Sequence, residues 1–557
     1  MRILLSGVLL FFFASGAFTA DAQRPNVLIL MAEDMSARVG AFGDNVAVTP
    51  NLDALARQGV RFPNVFTTAG VCAPSRAGHI LGMHQISTGT QHMRTSSRPE
   101  GGYFSVPPVE VKAYPELLRA AGYYTYTDFK LDYQFSHAAA NSGPFTIWDA
   151  QGSKASGWRD KADGQPFFAL INFMETHESG VFTPLGTMPN SFTHLIMQGM
   201  RWWRLDADAP TVVSSDQVVV PPYYPDTQTV RDDISRHYNN IALMDARVGE
   251  ILQQLENDGL AEDTIVIWTT DHGDGLPRAK RELHDAGTRV PMIIRWPDHF
   301  RPAHLQPGQL DKRLLSFVDI APTILKLSAI KPPEYLHGEN FLDPAVTPRT
   351  YVFSSRDRID EVNDRQRSVR DQRFRYIRSW YPELEMGHPL EFRENIAMVR
   401  EMRQMHLGGK LNPQQARWFQ PAGKERLYDI KADPHELIDL ASNPAYANEL
   451  QRLRQALEAH LARVGDWSEQ SENDMVDSFE PGGERFVTSS PTVSVKDNVL
   501  TAMPVSAGSS VGYSLDNGER WLLYSGPVSV PAESQVLVKA VRYGWRESDE
   551  VIARSTQ

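Results

Sequence analysis

The sequence predicts an α/β fold, and three stretches predict it together. Residues 26–31, 166–173 and 265–270 are short, continuous apolar runs. That is the pattern of strands buried on both faces of a sheet. Each run ends in residues that carry chemistry: Glu33-Asp34 after the first, Glu175-Thr176-His177 after the second, Asp271-His272 after the third. Ligands of open α/β sheets collect at the C-terminal ends of strands. Between the second and third runs, Tyr238, Ile241, Asp245, Val248 and Leu252 recur at helical spacing, with Gly259 just beyond the end.

Taken in order, the chain opens with the positive residues Met1 and Arg2, followed by an apolar stretch over 3–20 and the small-x-small triplet Ala20-Asp21-Ala22. This reads as a secretory signal over residues 1–22, without a membrane anchor, for a secreted or periplasmic protein. Cys72 is the one cysteine in 557 residues. It excludes an intramolecular disulfide and a thiolate metal cage. The remaining length is ample for two or three domains with cores of their own. A formal net charge of −12 argues against nonspecific nucleic-acid binding.

Glu33 and Asp34 repel each other unless a cation lies between them, or they occupy a solvated turn. A helix follows over 49–56, with Thr49 or Asn51 as its cap, Pro50 in its first turn, and Leu52, Leu55 and Ala56 as its inner stripe. Cys72 comes next, and a lone cysteine suits either a buried apolar place or a reactive one. If it opens a helix, Arg76 shares its face and can hold an oxyanion. His92 and Arg94 lie nearby in sequence, as subsite residues or as ordinary surface loop. Residues 122–126 are rich in β-formers and lead to Lys130 and Asp132.

Cys72, Pro74, Ser75, Arg76 and Gly82 match the pattern Cys-x-Pro-Ser-Arg followed by Gly. This resembles the signature of the type I sulfatases, in the alkaline phosphatase superfamily, and the chain is similar to their heparan N-sulfatase-like branch. Ile80 and Leu81 depart from the usual Leu and Thr or Ser. The resemblance implies that a formylglycine-generating enzyme oxidises Cys72 to formylglycine (3-oxoalanine), which is the nucleophile once hydrated. It implies one Ca2+ per chain, held by Glu33 and Asp34 (where the family has Asp-Asp), position 72, Asp271 and His272. Imidazole is an unusual calcium ligand, so His272 is also a candidate to bond the sulfate.

Lys130 matches the lysine of the family's Gly-Lys-x-His, with Asp132 where the histidine stands and His137 as a possible substitute. His177 matches a catalytic histidine. Residues 280–291 resemble Lys-x-x-x-Tyr-Glu-Gly-Gly-x-Arg-Val-Pro, so Lys280 is a sulfate ligand and His284 falls within the motif. The catalytic set implied is therefore Cys72, Arg76, Lys130, His177 and Lys280. The substrate-binding set is His92, Arg94, Asp132, His284, Arg356 and Arg358.

Arg356 opens a dense charge run reaching Arg378, either a solvated ion-pair face or a wall of sugar-contacting residues. Residues 427–436 resemble the small C-terminal sulfatase subdomain, closed by a helix with Leu450, Leu453, Leu457 and Leu461. Ser, Glu, Asp and Gly then dominate to about residue 483, which reads as a linker. Beyond 487, strand and turn signals alternate, with Asp516-Asn517-Gly518 as a hairpin turn. This looks like an appended β-sandwich, for packing or for tethering substrate.

The expectation is an alkaline-phosphatase-like mixed sheet flanked by helices (23–405), a small α+β subdomain (406–470), a linker (471–486) and a β-sandwich (487–557). The implied activity is hydrolysis of sulfate esters on a sulfated polysaccharide or oligosaccharide, of ulvan or glycosaminoglycan type. The alternatives are a phosphatase or phosphodiesterase of the same superfamily, and a noncatalytic sulfated-glycan-binding protein.

Overall fold

Strand β1 (Asn26–Ala32) is buried at all seven residues and forms the middle of an eight-stranded sheet. The structure, a computed structural model, describes residues 24–555 except 99, 153–156, 183–187, 190 and 205–209; the expected signal segment over 1–22 lies outside the described residues. The other strands of the sheet are β2 (Val60–Phe66), β3 (Tyr124–Thr127), β4 (Ala150–Gln151), β5 (Phe167–Phe173), β6 (Thr264–Thr270), β7 (Arg289–Arg295) and β8 (Leu315–Ser316). Their order is β4-β3-β5-β1-β6-β7-β2-β8. Strand β1 runs parallel to both β5 and β6, whereas β7 is antiparallel to β6 and β2, so the sheet is mixed as expected.

Helices cover both faces, which is why these strands read as unbroken apolar runs. One core layer joins β1 to α1 (Pro50–Gln58) and to the long helix α4 (Gln228–Asn257). The other joins the opposite faces of the strands to α2 (Cys72–Leu81) and α3 (Tyr114–Ala120). The α1 cap differs from both sequence candidates: neither Thr49 nor Asn51 caps it with its side chain. Instead the buried Asp245 of α4 accepts the Asn51 and Leu52 N–H groups, at 3.1 and 2.8 Å. A long-range carboxylate satisfies donors that a local cap would otherwise take.

A second, antiparallel sheet contains β9 (Val352–Arg356), β10 (Gln366–Arg370), β11 (Phe374–Ser379) and β12 (Glu425–Asp429) in the order β12-β11-β10-β9. Three of its strands precede residue 406, where the sequence reading starts the small subdomain, and β12 follows it. The helix Ala447–Val464 packs its Leu453 and Leu457 on this sheet, against Val369, Tyr376 and Leu427.

In the charge run over 356–378, Arg356, Arg358, Arg367, Arg370 and Arg375 are buried and ion-paired, while Arg373 is exposed. Arg356 bonds Glu282 at 2.6 Å and Asp364 at 3.1 Å. Arg358 is clamped by Glu472 at 2.7 and 3.0 Å. Arg367 joins Asp357 at 2.8 Å to Asp466 at 2.7 Å. Arg375 reaches Asp285 and Glu436. Removing one partner of such a pair leaves the other charge buried and unpaired. Arg367→Ala is therefore expected to destabilise the protein by about 3–5 kcal/mol. Denaturant unfolding measures this, and a change below about 1 kcal/mol contradicts it.

The expected linker over 471–486 is not an open tether. It contains the helix Glu472–Phe479, whose Met475 and Phe479 pack on Tyr103 while Glu472 accepts from the Tyr103 hydroxyl at 2.8 Å. The C-terminal region forms two antiparallel sheets around a small apolar core of its own, the expected sandwich. It is bolted to the α3 region: buried Glu116 accepts from the Tyr543 hydroxyl at 2.6 Å, and Tyr543 stacks on Phe135 at 4.9 Å.

Candidate active site

The site follows from strand register. Ala32 pairs with Phe173 of β5 on one side and with Thr270 of β6 on the other, so three strands end at one level. Glu33-Asp34, His177-Glu178 and Asp271-His272 leave those ends together. Helix α2 then brings its first residue, Cys72, to the same place. Ser75 fixes that approach by donating its hydroxyl to the Asp271 carbonyl at 2.6 Å. The left-handed Gly82 (φ 64°) ends the helix, a conformation that favours glycine.

Asp34 also has a left-handed backbone (φ 48°), which is costly for a non-glycine residue and is a feature of functional turns. Its N–H donates to Asp271 Oδ1 at 3.0 Å, locking the two strand ends. Gly273 is needed beside them, because a Cβ there would lie 1.8 Å from the Ala286 carbonyl oxygen.

Cys72 Sγ lies 3.6 Å from Asp34 Oδ1 and 3.3 Å from His272 Nε2. His272 Nε2 is also 2.9 Å from Asp34 Oδ1 and 3.7 Å from Asp271 Oδ1. The ligand atoms of Asp34, Cys72, Asp271 and His272 all lie within 4.8 Å of one another, and all four residues are buried. Two observations make this set suited to a cation. The buried Asp271 Oδ2 has no hydrogen-bond partner among the described residues. His272 Nδ1 donates to the Gly273 carbonyl at 3.0 Å, which aims Nε2 at the carboxylates; that nitrogen is a proton donor to them in the metal-free site and would become a ligand lone pair with a cation bound. Burial disfavours the charged form of His272, yet Asp271 and Asp34 outweigh burial and push it well above its ordinary range. That is the field of a site made for positive charge.

Glu33, expected in this set, is not part of it. Its longer side chain turns to Arg76, at 3.0 Å, and to the Lys130 ammonium. Arg76 is fully engaged as well: it donates to the Leu131 carbonyl at 3.0 Å, to the Lys130 carbonyl at 2.8 Å and to Asn172 Oδ1 at 2.7 Å. Asp128 accepts both the N–H and the side-chain amide of Asn172, which fixes that amide with its oxygen toward Arg76. In this arrangement Arg76 braces the strand ends and the Lys130 turn.

Lys280 Nζ contacts Asp34 Oδ2 at 2.5 Å and Glu178 Oε1 at 2.9 Å. Asp34 Oδ2 also accepts the Glu178 N–H at 2.7 Å. Burial would raise the Asp34 carboxyl, but Lys280, with His177 and His272, holds it well below the usual range. Lys130 and Lys280 are raised against burial, in part by the negative charge they would meet at position 72. His177 Nδ1 accepts from the Ser179 N–H at 3.3 Å, which leaves its proton on Nε2, 3.9 Å from Asp34 Oδ2. Burial lowers His177 to about 3, so the ring is neutral.

Around this centre the other expected residues divide. Asp132 (φ 59°) and Arg94 (φ 55°) are paired at 3.2 Å, and Arg94 is 39% exposed, whereas the Lys130 and His177 side chains are nearly buried. The acid at 132 is thus balanced by two cations, Arg94 and Lys130, which lower its carboxyl against burial. His137 is exposed and packs edge-on to Phe104, at 4.8 Å. His92, His284, Arg356 and Arg358 are not at the centre. His92 accepts the Arg358 N–H at 3.2 Å, and His284 lies 3.4 Å from Glu436 in the seam with the second sheet.

Sequence reasoning passed over Glu178, Arg281, Asn172 and Asp128. Glu178 orients both Lys280 and Arg281, which it grips at 2.8 and 2.7 Å. The available signal was adjacency: Glu178 follows His177, and Arg281 follows Lys280.

The comparisons agree with this geometry. The sulfatase family profile matches residues 25–330, and a second profile, N-sulphoglucosamine sulphohydrolase C-terminal, matches residues 278–395. An ulvan-active sulfatase of Formosa agariphila is 40% identical over 555 residues, covering 95% of this chain and 91% of its own. The N-sulphoglucosamine sulphohydrolase of Homo sapiens is 28% identical, over 78% of this chain and 89% of its own. A solved 2-O GAG sulfatase shares the fold with a TM-score of 0.56 at 19% identity, over 80% of this chain and 94% of that one.

Proposed function

Because the chain belongs to the sulfatase family, we propose that it removes sulfate from a sulfated polysaccharide or oligosaccharide, with formylglycine at position 72 as nucleophile and calcium as its cation. The observation that carries this reading is the place of Cys72. It is the first residue of α2, beside Asp34, His272 and an orphaned carboxylate oxygen of Asp271. A structural cysteine needs none of these neighbours. Conversion to the aldehyde exchanges sulfur for oxygen with loss of two electrons from Cβ, which a formylglycine-generating enzyme and its oxidant would supply. The hydrated aldehyde then offers an oxygen nucleophile and a second hydroxyl for releasing sulfate. A divalent cation held by Asp34, Asp271 and His272 supplies Lewis acidity there.

The chain's own residues do the rest. The positive end of α2 faces the atoms of residue 72, where negative charge gathers. An ammonium has three donors. Asp34 and Glu178 hold two of those on Lys280, which leaves one for a sulfate oxygen. Lys130, steadied by Glu33, serves a second oxygen. His177 presents its Nε2 proton to the ester oxygen and is kept in that tautomer by Ser179. Arg94, backed by Asp132, stands at the open side, where the sugar enters. The sulfated sugar is supported by the ulvan-active relative. Asp34, His177 and Glu178 form a second cluster beside the first, but the Lys280 ammonium lies between Asp34 Oδ2 and Glu178 Oε1, at 2.5 and 2.9 Å, which favours one cation over a phosphatase-like pair. The apolar segment and small-x-small triplet over 1–22 support secretion.

The test is the mass of the tryptic peptide 62–76, from protein made in a host shown to modify a control sulfatase. An aldehyde in place of the thiol is expected. An intact thiol sinks the formylglycine mechanism and leaves sulfated-glycan binding as the function.

A further inference from the structure

The catalytic body, the helical connector and the sandwich meet at a cleft of about 330 Å³. Its walls come from all three: Tyr103 and Phe104, then Glu480, Glu484 and Arg485, then Arg546. Many of the described arginines are ion-paired, as at Arg356, Arg358, Arg367 and Arg375. Among the described residues, neither Arg485 nor Arg546 has a carboxylate within the 4.0 Å of an ion pair. Two guanidinium groups without a carboxylate partner thus face one cleft of an acidic protein and are free to take an outside anion.

Arg485 is also held in place. Its guanidinium lies 4.6 Å from the centre of the Phe104 ring, so it is pre-ordered before any ligand arrives. Phe104 is itself fixed, its N–H donated to buried Glu480 at 3.1 Å. Exposed Glu484 adds an acceptor on the rim. A mixture of guanidinium donors and carboxylate acceptors suits a ligand that carries both anionic groups and hydroxyls, which a sulfated saccharide does and a bare inorganic anion does not.

The wall of the cleft is tied by its backbone to the chain beside the reaction centre. The Tyr103 N–H bonds the Thr95 carbonyl at 3.1 Å, and the Ser105 N–H bonds the Gln134 carbonyl at 3.0 Å. Phe104 is thus one backbone layer from Arg94 and Asp132, the residues at the open side of the active site. We propose that this three-way cleft is a second saccharide site, which holds a sulfated residue of the polymer remote from the one being cleaved, through Arg485 and Arg546. The sandwich then takes part in recognition rather than packing alone. The proposal rests on the sulfated-glycan reading above and extends it from one sugar to a track.

The experiment uses the full chain and the double variant Arg485→Ala/Arg546→Ala, with an ulvan-type sulfated polysaccharide, its chemically desulfated form and a small aryl sulfate as probes. Binding to the sulfated polymer is expected to weaken about tenfold in the variant. The ratio of kcat/KM on the polymer to that on the aryl sulfate is expected to fall by a similar factor. The charge reversal Arg546→Glu should weaken binding further. An equal unfolding midpoint for wild type and variant shows that folding is intact. The proposal is overturned if the variant binds the polymer as tightly as wild type, or if wild type does not distinguish the sulfated from the desulfated form. Sulfate release tests the enzymatic reading separately: arginine-dependent binding without release keeps the cleft and removes the hydrolase.

Discussion

Replacing Cys72 by alanine is expected to abolish sulfate release, by a factor on the order of 10⁴ or more. The loss should come without unfolding. Besides Asp34 and His272, position 72 borders Val71, Ala73, Met93, Ile359 and Leu390, and the strand ends stay tied without its side chain through the Asp34 N–H to Asp271 at 3.0 Å. Removing the one polar function at that side chain costs about 1 kcal/mol in lost contact. The expected signature is therefore a dead enzyme with a nearly normal unfolding curve and undiminished affinity for sulfated polymer. Sulfate release measured by ion chromatography, beside a thermal unfolding scan, distinguishes this from a structural cysteine. Residual activity within tenfold of wild type would mean that chemistry runs through another residue.

The second large effect concerns the cation. Asp271→Asn keeps an Oδ1 to accept the Asp34 N–H but removes the charge that the orphaned Oδ2 shares. The turn between the strand ends should survive, while activity falls on the order of 10³-fold. Stability carries a more specific sign. In the metal-free wild type, Asp34 and Asp271 crowd two buried carboxylates around His272. Calcium should therefore raise the unfolding midpoint of wild type by several degrees through mass action. The variant has one carboxylate fewer and should gain far less. Differential scanning of both proteins, with chelator and with added calcium, reads the difference. An equal calcium shift in the two would remove Asp271 from the ligand set.

The sequence carried the sheet's central strands because burial on both faces leaves an unbroken apolar run. It carried Asp34, Cys72, Asp271 and His272 because each stands at an element end with a recognisable neighbour. It did not carry the roles of Glu178, Asn172 and Asp128. Those residues act through others, by aiming Lys280 or bracing Arg76, and such second-hand roles leave no local pattern. The pairing of Glu33 was hidden for a related reason: one extra methylene lets it reach Arg76 and Lys130, which lie far from it in sequence. The charge run from Arg356 looked ambiguous because its partners lie far away in sequence, at Glu282, Asp285, Glu436, Asp466 and Glu472. Composition cannot distinguish a solvated run from a buried lattice. The helix Glu472–Phe479 was hidden likewise, since its apolar contribution is three residues, Met475, Val476 and Phe479.

That lattice has a consequence for the medium in which the protein works. Mobile ions weaken attractions between exposed charges beyond a Debye length of about 8 Å at 0.15 M, but they do not enter a closed interior. The ties from Arg356, Arg358, Arg367 and Arg375 are closed to them. Brine should therefore loosen the hold of the protein on a sulfated polymer long before it loosens the protein itself. Ionic strength becomes a control on substrate residence, independent of folding.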